Sequence, residues 1–296
     1  MAGISLIQVP EKWRGLLYAT TAALLWSTGG LFIKVLPLGP FQINFYRSLV
    51  AGVTILVGLR IRKQPWALDL DLLSLACCLS YAGVIILFVT ATKLTTAANA
   101  IFLQYTAPIF LLFLEPWSFE LPFPKKDLWA VAACVAGMGL FFAGHLQRGG
   151  ALGNLLGLGS GLCLALFTLL LKWKRVKRPG QSPYSIVVFG NLLVALICLP
   201  MAWSGLRLSL GQGTALLYLG IFQLGFSWML FTAGMKYLSA TAATITCMLE
   251  AVFNPIWVFL GMGERPSAYA LLGGAVILGV VIWYNRKKAS LAQAVD

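Results

Sequence analysis

Thr246, Glu250 and Asn254 stand at i, i+4 and i+8 inside "TCMLEAVFNPIWVFLG" (246–261), a run that is otherwise almost wholly apolar. On a helix this spacing puts all three on one face, and a polar stripe there is expected to face a cavity rather than lipid. An acid at mid-membrane costs about 2.5–3.5 kcal/mol, so such a residue is usually functional. Glu250 can accept a substrate ammonium, exchange a proton, or bond a backbone carbonyl beside Pro255. Arg47 carries a similar cost, but its helix reads as peripheral, so a structural tie to a carbonyl or an acid is expected of it.

Other candidates share the pattern of sparse polar groups among aromatics. Asn99, Gln104 and Tyr105 lie together in one apolar run. Gln223 and Ser227 are spaced i, i+4 with Trp228 adjacent, and Tyr81 and Phe88 are seven residues apart. Trp26 and Trp228 fall in mid-run, where they can line a pocket or pack; Asn99 and Gln104 can equally bond neighbouring helices. Trp13, Trp66, Trp117, Trp129 and Trp203 fall near run ends, where indoles anchor to the interface. An aromatic-walled pocket with a few amides and hydroxyls suits a small amphipathic solute.

The elements that must position these residues are set by hydropathy. The 296-residue chain is 59% hydrophobic and 10% charged, with a mean hydropathy of +0.86, far from the roughly 25% charge of a soluble domain. A membrane helix needs about 20 apolar residues. Ten such windows occur, near 15–36, 40–60, 72–92, 95–115, 127–145, 152–173, 183–203, 213–236, 239–261 and 268–285. The expected class is an all-α integral membrane protein with ten transmembrane helices.

The net charge of +13 is topological rather than a nucleic-acid footprint. With the N-terminus inside, sixteen Lys and Arg fall on the cytoplasmic side and five outside. By the positive-inside rule both termini are then cytoplasmic. The run "KWKRVKR" (172–178) is expected as a cytoplasmic loop anchor touching anionic lipid. Six cysteines all lie in apolar windows and His145 is the single histidine, so no disulfide framework, metal site or cofactor is expected. An enzyme is not expected either, since no nucleophile and base pair up. No Gly-x-x-x-x-Gly-Lys loop for ATP is present. The first apolar run is too long for a signal peptide and is expected to remain as the first helix.

The chain reads as two related halves, 1–148 and 149–296. A shift of 144 aligns "LTTAANAIFLQYTA" (94–107) with "LSATAATITCMLEA" (238–251) and pairs Glu120 with Glu264. Under it Glu250 falls on Thr106, while a shift of 143 sets Arg47 against the uncharged Gly190. Five helices per half is an odd number, so the halves are expected to be inverted, as in transporters that rock about a midplane site. Glu120 and Glu264 are expected as paired helix-end or gate residues, and Gly29 and Gly30 as a kink that gates the cavity. Gly153, Gly157 and Gly161 form a small-residue ladder for close helix packing.

The segments "ALLWSTGGLFIK" (23–34), "KLTTAANAIFLQYTAPIF" (93–110), "YLSATAATITCMLEAVFNPIWVFLGMGERPS" (237–267) and "LLGGAVILGVVI" (271–282) resemble the EamA-type branch of the drug/metabolite transporter superfamily. The likeness covers nearly the whole chain. It implies a ten-helix exporter of the bacterial inner membrane with a central cavity, and the sequence looks closest to members that export aromatic amino acids. Ala251 departs from the family pattern, which has proline after the Glu; Pro255 comes one turn later, so the helix bend is expected to move. The expected mechanism is alternating access around a pocket lined by helices three, four, eight and nine, with efflux of lipophilic cations as the alternative.

Overall fold

A computed structural model describes residues 11–67, 71–95, 97–123, 125–141, 150–178, 181–203, 207–262 and 267–293. Among them there is no strand. The helices run α1 (Glu11–Ser27), α2 (Gly29–Val35), α3 (Pro40–Ile61), α4 (Leu72–Leu94), α5 (Ala97–Gln104), α6 (Ala107–Phe119), α7 (Lys125–Phe141), α8 (Ala151–Lys177) and α9 (Pro183–Ala202). They continue with α10 (Leu210–Tyr218), a π-helical segment (Leu219–Phe226), α11 (Ser227–Gly234), α12 (Ala240–Cys247), α13 (Leu249–Met262) and α14 (Ala268–Gln293).

Each of the ten apolar windows coincides with helix over most of its described residues, and 142–145 of the fifth window lie outside them. Seven spans are long and apolar enough to cross a membrane: Trp13–Val35, Pro40–Ile61, Leu72–Leu94, Asn99–Phe119, Ala151–Lys177, Pro183–Ala202 and Leu210–Gly234. Asp127–Leu140 and Leu271–Asn285 are shorter apolar helices. Large apolar side chains such as Leu152, Leu155, Leu196 and Leu271 point outward, as a lipid-facing surface requires. Trp13, Trp66, Trp117, Trp129 and Trp203 are exposed, whereas Trp26 and Trp228 are buried.

Several of the windows are broken, and the sequence supplies the reason for most of the breaks. Between α5 and α6, Pro108 has no N–H to give and its ring excludes the carbonyl four residues back. The carbonyls of Leu103 and Gln104 therefore turn toward α8 at Gly161, where a Cβ would stand 2.9 and 2.8 Å from them. The glycine ladder serves this packing throughout, with Gly153 against Leu94 and Thr95 and Gly157 against Leu103. Between α1 and α2 the chain turns at Thr28, just before Gly29 and Gly30, at the expected kink.

Between α12 and α13 the helix tightens at Met248, whose N–H reaches both Thr244 O and Ile245 O at 3.2 Å. The break falls three residues before Ala251 rather than around Pro255. It also splits the expected Thr246, Glu250, Asn254 stripe, because a tightened turn rotates the next helix about its axis. The residues that share a cavity face across it are Thr244, Cys247 and Glu250, three apart.

Packing is densest between α4 and α8, between α3 and α9, and between α7 and α14. The π-helical segment lies on α3, α1 packs on α11, α12 and α13, and α5 packs on α8. The contact of the π segment with α3 depends on Gly220, where a Cβ would meet the Val50 side chain at 2.5 Å and the Arg47 carbonyl at 3.0 Å.

Candidate functional site

A small cavity of about 50 Å³ lies where α1, α3, α4, α8, the α5–α6 break, the π segment, α11, α12 and α13 converge. Its walls are apolar at Val84, Ile85, Phe88, Leu164, Leu224 and Phe231. Polar groups reach it from Arg47, Gln104, Tyr105, Gln223, Thr244 and Glu250. This volume holds a water or two, well short of the roughly 300–1,000 Å³ of a ligand pocket. A metabolite the size of an amino acid does not fit this space unless the walls part.

On one side of the cavity, Glu250 is 6% exposed and its Oε2 lies 2.6 Å from the Tyr105 hydroxyl. The same hydroxyl lies 2.6 Å from the Cys247 carbonyl. One phenolic proton cannot serve two acceptors. With Glu250 protonated, the carboxyl donates to Tyr105 and Tyr105 donates to Cys247, so every group is satisfied. With Glu250 ionised, Tyr105 turns to the carboxylate and the carbonyl loses its donor. The trio thus couples a proton on Glu250 to the backbone at the α12–α13 break.

On another side, Arg47 is 1% exposed and donates one long bond, 3.4 Å, to Gln223 Oε1, while its Nε has no partner among the described residues. Gln223 in turn donates to the Trp26 carbonyl at 3.5 Å. Gln223 sits within the π segment, a distortion that frequently marks functional positions. Trp228 is the hub of an aromatic cluster: its ring lies 4.8 Å from those of Trp26 and Tyr81, 5.2 Å from Phe167 and 5.4 Å from Phe231. Its indole Nε1 is buried without a partner among the described residues.

The expected site residues divide. Glu250, Gln104, Tyr105, Gln223, Trp26 and Trp228 meet at the cavity. Gln104 is also tied to Ser160 at 2.9 Å, which serves helix packing. Thr246 does not join them; its hydroxyl donates to Ala242 O and accepts from Asn285 on α14. Tyr81 is buried behind Trp228, its hydroxyl accepting from Asn191 at 2.8 Å. Asn99 bonds Thr95 and Asn154 near the start of α8, away from the cavity. Gly29 and Gly30 give room to polar side chains: a Cβ would lie 2.5 Å from Gln223 Nε2 at the first and 2.7 Å from Asn254 Nδ2 at the second.

Arg47 reverses its expectation, since it faces the cavity and has no acid beside it among the described residues. The signal that could have found it is Gly190 at the matching position, which clears space for Tyr81, 2.6 Å from a notional Cβ, where Arg47 instead carries a long polar arm. Glu115 was missed outright. It is 5% exposed and accepts from Lys172 at 2.7 Å, from the backbone N–H groups of Ala240 and Thr241 at 3.0 and 2.9 Å, and from the Thr241 hydroxyl at 2.5 Å. An acid at the start of α12 also complements that helix's dipole.

Glu120 ends α6 in a left-handed conformation and is exposed, and Glu264 lies outside the described residues, as does His145. Nor is "KWKRVKR" a free loop anchor. It is the last part of α8, where Lys174 bonds Ser74 and Arg175 donates to Thr232 O at 3.0 Å, while Val176, Lys177 and Arg178 are exposed and Lys177 lies over the Trp173 ring at 4.5 Å. Nearby Asp71, which caps α4, is held below the usual carboxylate range chiefly by its bonds from Ser74.

The two ends of the bundle carry different polar clusters. α4 is 23 residues long, about 35 Å. At its start lie the Lys174 contacts to Asp71 and Ser74, and toward the same end of α8 the Glu115 cluster. At its far end Lys34 donates to Thr92 O and Thr95 O at 3.2 and 3.0 Å, and Lys93 to Leu36 O at 2.7 Å.

The EamA-like transporter family model matches this chain twice, over residues 13–143 and 151–286. The chain belongs to the EamA-like transporter family. It is accordingly a multi-pass membrane transporter and not an enzyme. Over 280 residues, 90% of this chain and 92% of the relative, it is 28% identical to the uncharacterized transporter YwfM of Bacillus subtilis (strain 168). It is 23% identical over 282 residues, 93% of this chain and 96% of the other, to the pseudopaline exporter CntI of Pseudomonas aeruginosa (strain UCBPP-PA14). A solved crystal structure shares the fold at a TM-score of 0.70 and 18% identity, covering 90% of this EamA-like chain and 94% of that one.

Proposed function

We propose that this EamA-like transporter exports small amphipathic metabolites, with aromatic and other neutral amino acids as the leading class, by alternating access across a bacterial plasma membrane. The observation that carries this reading is the cavity itself, where a buried carboxyl, a buried guanidinium and two amides meet an indole and phenyl wall. A zwitterion with an apolar side chain matches those three features together. The distribution of basic residues supports a cytoplasmic location for both termini.

Two inverted five-helix halves, 1–148 and 149–296, supply the motion. The double family match supports them. So does the packing, which keeps its pattern when each window is exchanged for the one five places along. The α4 with α8 contact exchanges with the contact of α1 with α11, the π segment on α3 exchanges with α4 on α9, and α5 with α8 exchanges with α1 on α12 and α13. Such a scaffold gives two states of similar energy that open to opposite sides. The Lys34 and Glu115 ends are the two closures that open in turn.

Efflux of lipophilic cations is the second reading, favoured by the buried acid at Glu250 and opposed by Arg47 on the same cavity. Purified protein in liposomes, offered labelled tryptophan, leucine and a lipophilic cation with and without a pH gradient, separates the two. Tryptophan and leucine should move and the cation should not. Movement of the cation alone would establish the second reading, and movement of none would remove transport of these classes.

A further inference from the structure

Arg47 is a buried guanidinium with nothing of opposite charge beside it among the described residues. The ion pairs there are Lys172 with Glu115 and Lys174 with Asp71, and neither involves Arg47. Of its five N–H donors, one makes a 3.4 Å bond to a neutral amide, and Nε faces no acceptor. An unpaired buried charge is among the least favourable things a fold can contain, and natural sequences ordinarily pair it. Here the fold is built around it. Gly220 lets the π segment approach the Arg47 carbonyl, and Gly29 lets Gln223 lie where it meets the guanidinium.

A second buried donor without an acceptor among the described residues is the indole Nε1 of Trp228, a residue that also lines this cavity. Trp228 is 3% exposed, and its ring is fixed by four aromatic neighbours. Both residues line one cavity, and neither of the ion pairs among the described residues involves Arg47. Glu250, the acid of the cavity, is already engaged by Tyr105.

We infer that Arg47, with the indole N–H of Trp228, is the anchor for a substrate carboxylate, so that this transporter selects solutes bearing that group and rejects their amides and amines. The inference rests on the transport reading above and sharpens it. A planar guanidinium binds carboxylate through two parallel bonds, which an ammonium cannot reproduce. Gln223 holds the fork toward the cavity until the substrate arrives. The carboxylate then neutralises Arg47 as the site closes.

The test uses three probes on the purified full chain: phenylalanine, N-acetylphenylalanine, which keeps the carboxylate without the ammonium, and phenylalaninamide, which keeps the ammonium without the carboxylate. Ligand-induced thermal shift and equilibrium binding are measured for the wild type, Arg47→Gln and Arg47→Lys. The wild type should bind both carboxylates at least tenfold more tightly than the amide. Arg47→Gln should abolish that preference and Arg47→Lys should weaken it, with unliganded Tm unchanged or raised in both. Wild-type protein that binds the amide as well as the acids, or an Arg47→Gln variant that keeps the preference, would overturn the anchor.

A Tm that falls in both variants, with all three probes weakened alike, would overturn it in favour of a structural arginine. Arg47-dependent binding of N-acetylphenylalanine by a protein that moves no amino acid in liposomes would sink the amino-acid reading and leave the anchor standing. Binding of none of the three would end both.

Discussion

Glu115→Ala should lower stability by roughly 3–5 kcal/mol, the usual loss when one partner of a buried pair is removed. The glutamate is the shared acceptor for the Lys172 ammonium, two backbone N–H groups and the Thr241 hydroxyl. Its loss strands the first N–H groups of α12, which no other described side chain reaches except Ser239 at Ala242. A fall in Tm of about 5–15 °C in detergent, by tryptophan fluorescence, is the expected reading. Glu115→Gln, which keeps one acceptor oxygen, should lose less. In the alternating-access proposal this cluster is one of the two closures, so Glu115→Ala should also raise labelling of cavity residues from that end. A Tm that does not move measurably would show that the cluster does not hold α6, α8 and α12 together.

Glu250→Gln should cut transport at least tenfold, or remove its pH dependence, while Tm stays near the wild type. The amide is the same size and can donate to Tyr105 just as a protonated carboxyl does, so the Tyr105 to Cys247 bond survives. What glutamine cannot do is lose a proton or attract an ammonium. A Glu250 that serves only as a neutral hydrogen-bond donor to Tyr105 would tolerate the change, and a Gln variant with full flux and unaltered pH profile would remove it from the mechanism. A collapse in Tm would instead assign Glu250 to the α12–α13 break. Tyr105→Phe, which strips the bridge from both acceptors, should reduce flux less than Glu250→Gln.

The helical scaffold was legible because hydropathy is a long, repeated signal: ten windows, each about as long as a membrane is thick, each coinciding with helix over most of its described residues. The candidate site was legible in part. Glu250, Gln104, Tyr105, Gln223, Trp26 and Trp228 were found because polar and aromatic residues in mid-window have few other uses. The misses come from local geometry that spacing arithmetic cannot see. Thr246 shares a face with Glu250 only on a regular helix, and one tightened turn at Met248 moves it to face Asn285.

Arg47 reads as part of a peripheral helix because pattern does not say which way a long side chain points. The π segment and Gly220 turn it inward. Glu115 lacks any signal of its own: it sits one residue before Pro116 near a window's end, and its partners Lys172, Ala240 and Thr241 are 57 to 126 residues away. Tyr81 and Asn99 have the residue types of a binding site but spend their hydrogen bonds on Asn191, Thr95 and Asn154.

The most direct test of the cavity as the transport site is its exposure to each side of the membrane in turn. Thr244 lines the cavity, is buried, and differs little in size from cysteine. Thr244→Cys in a chain with its six native cysteines replaced, probed with a membrane-impermeant thiol reagent in right-side-out and inside-out vesicles, reads that exposure. Labelling from both sides, slowed by phenylalanine from either, is the predicted result. Labelling from one side alone, or from neither, would contradict alternating access at this cavity.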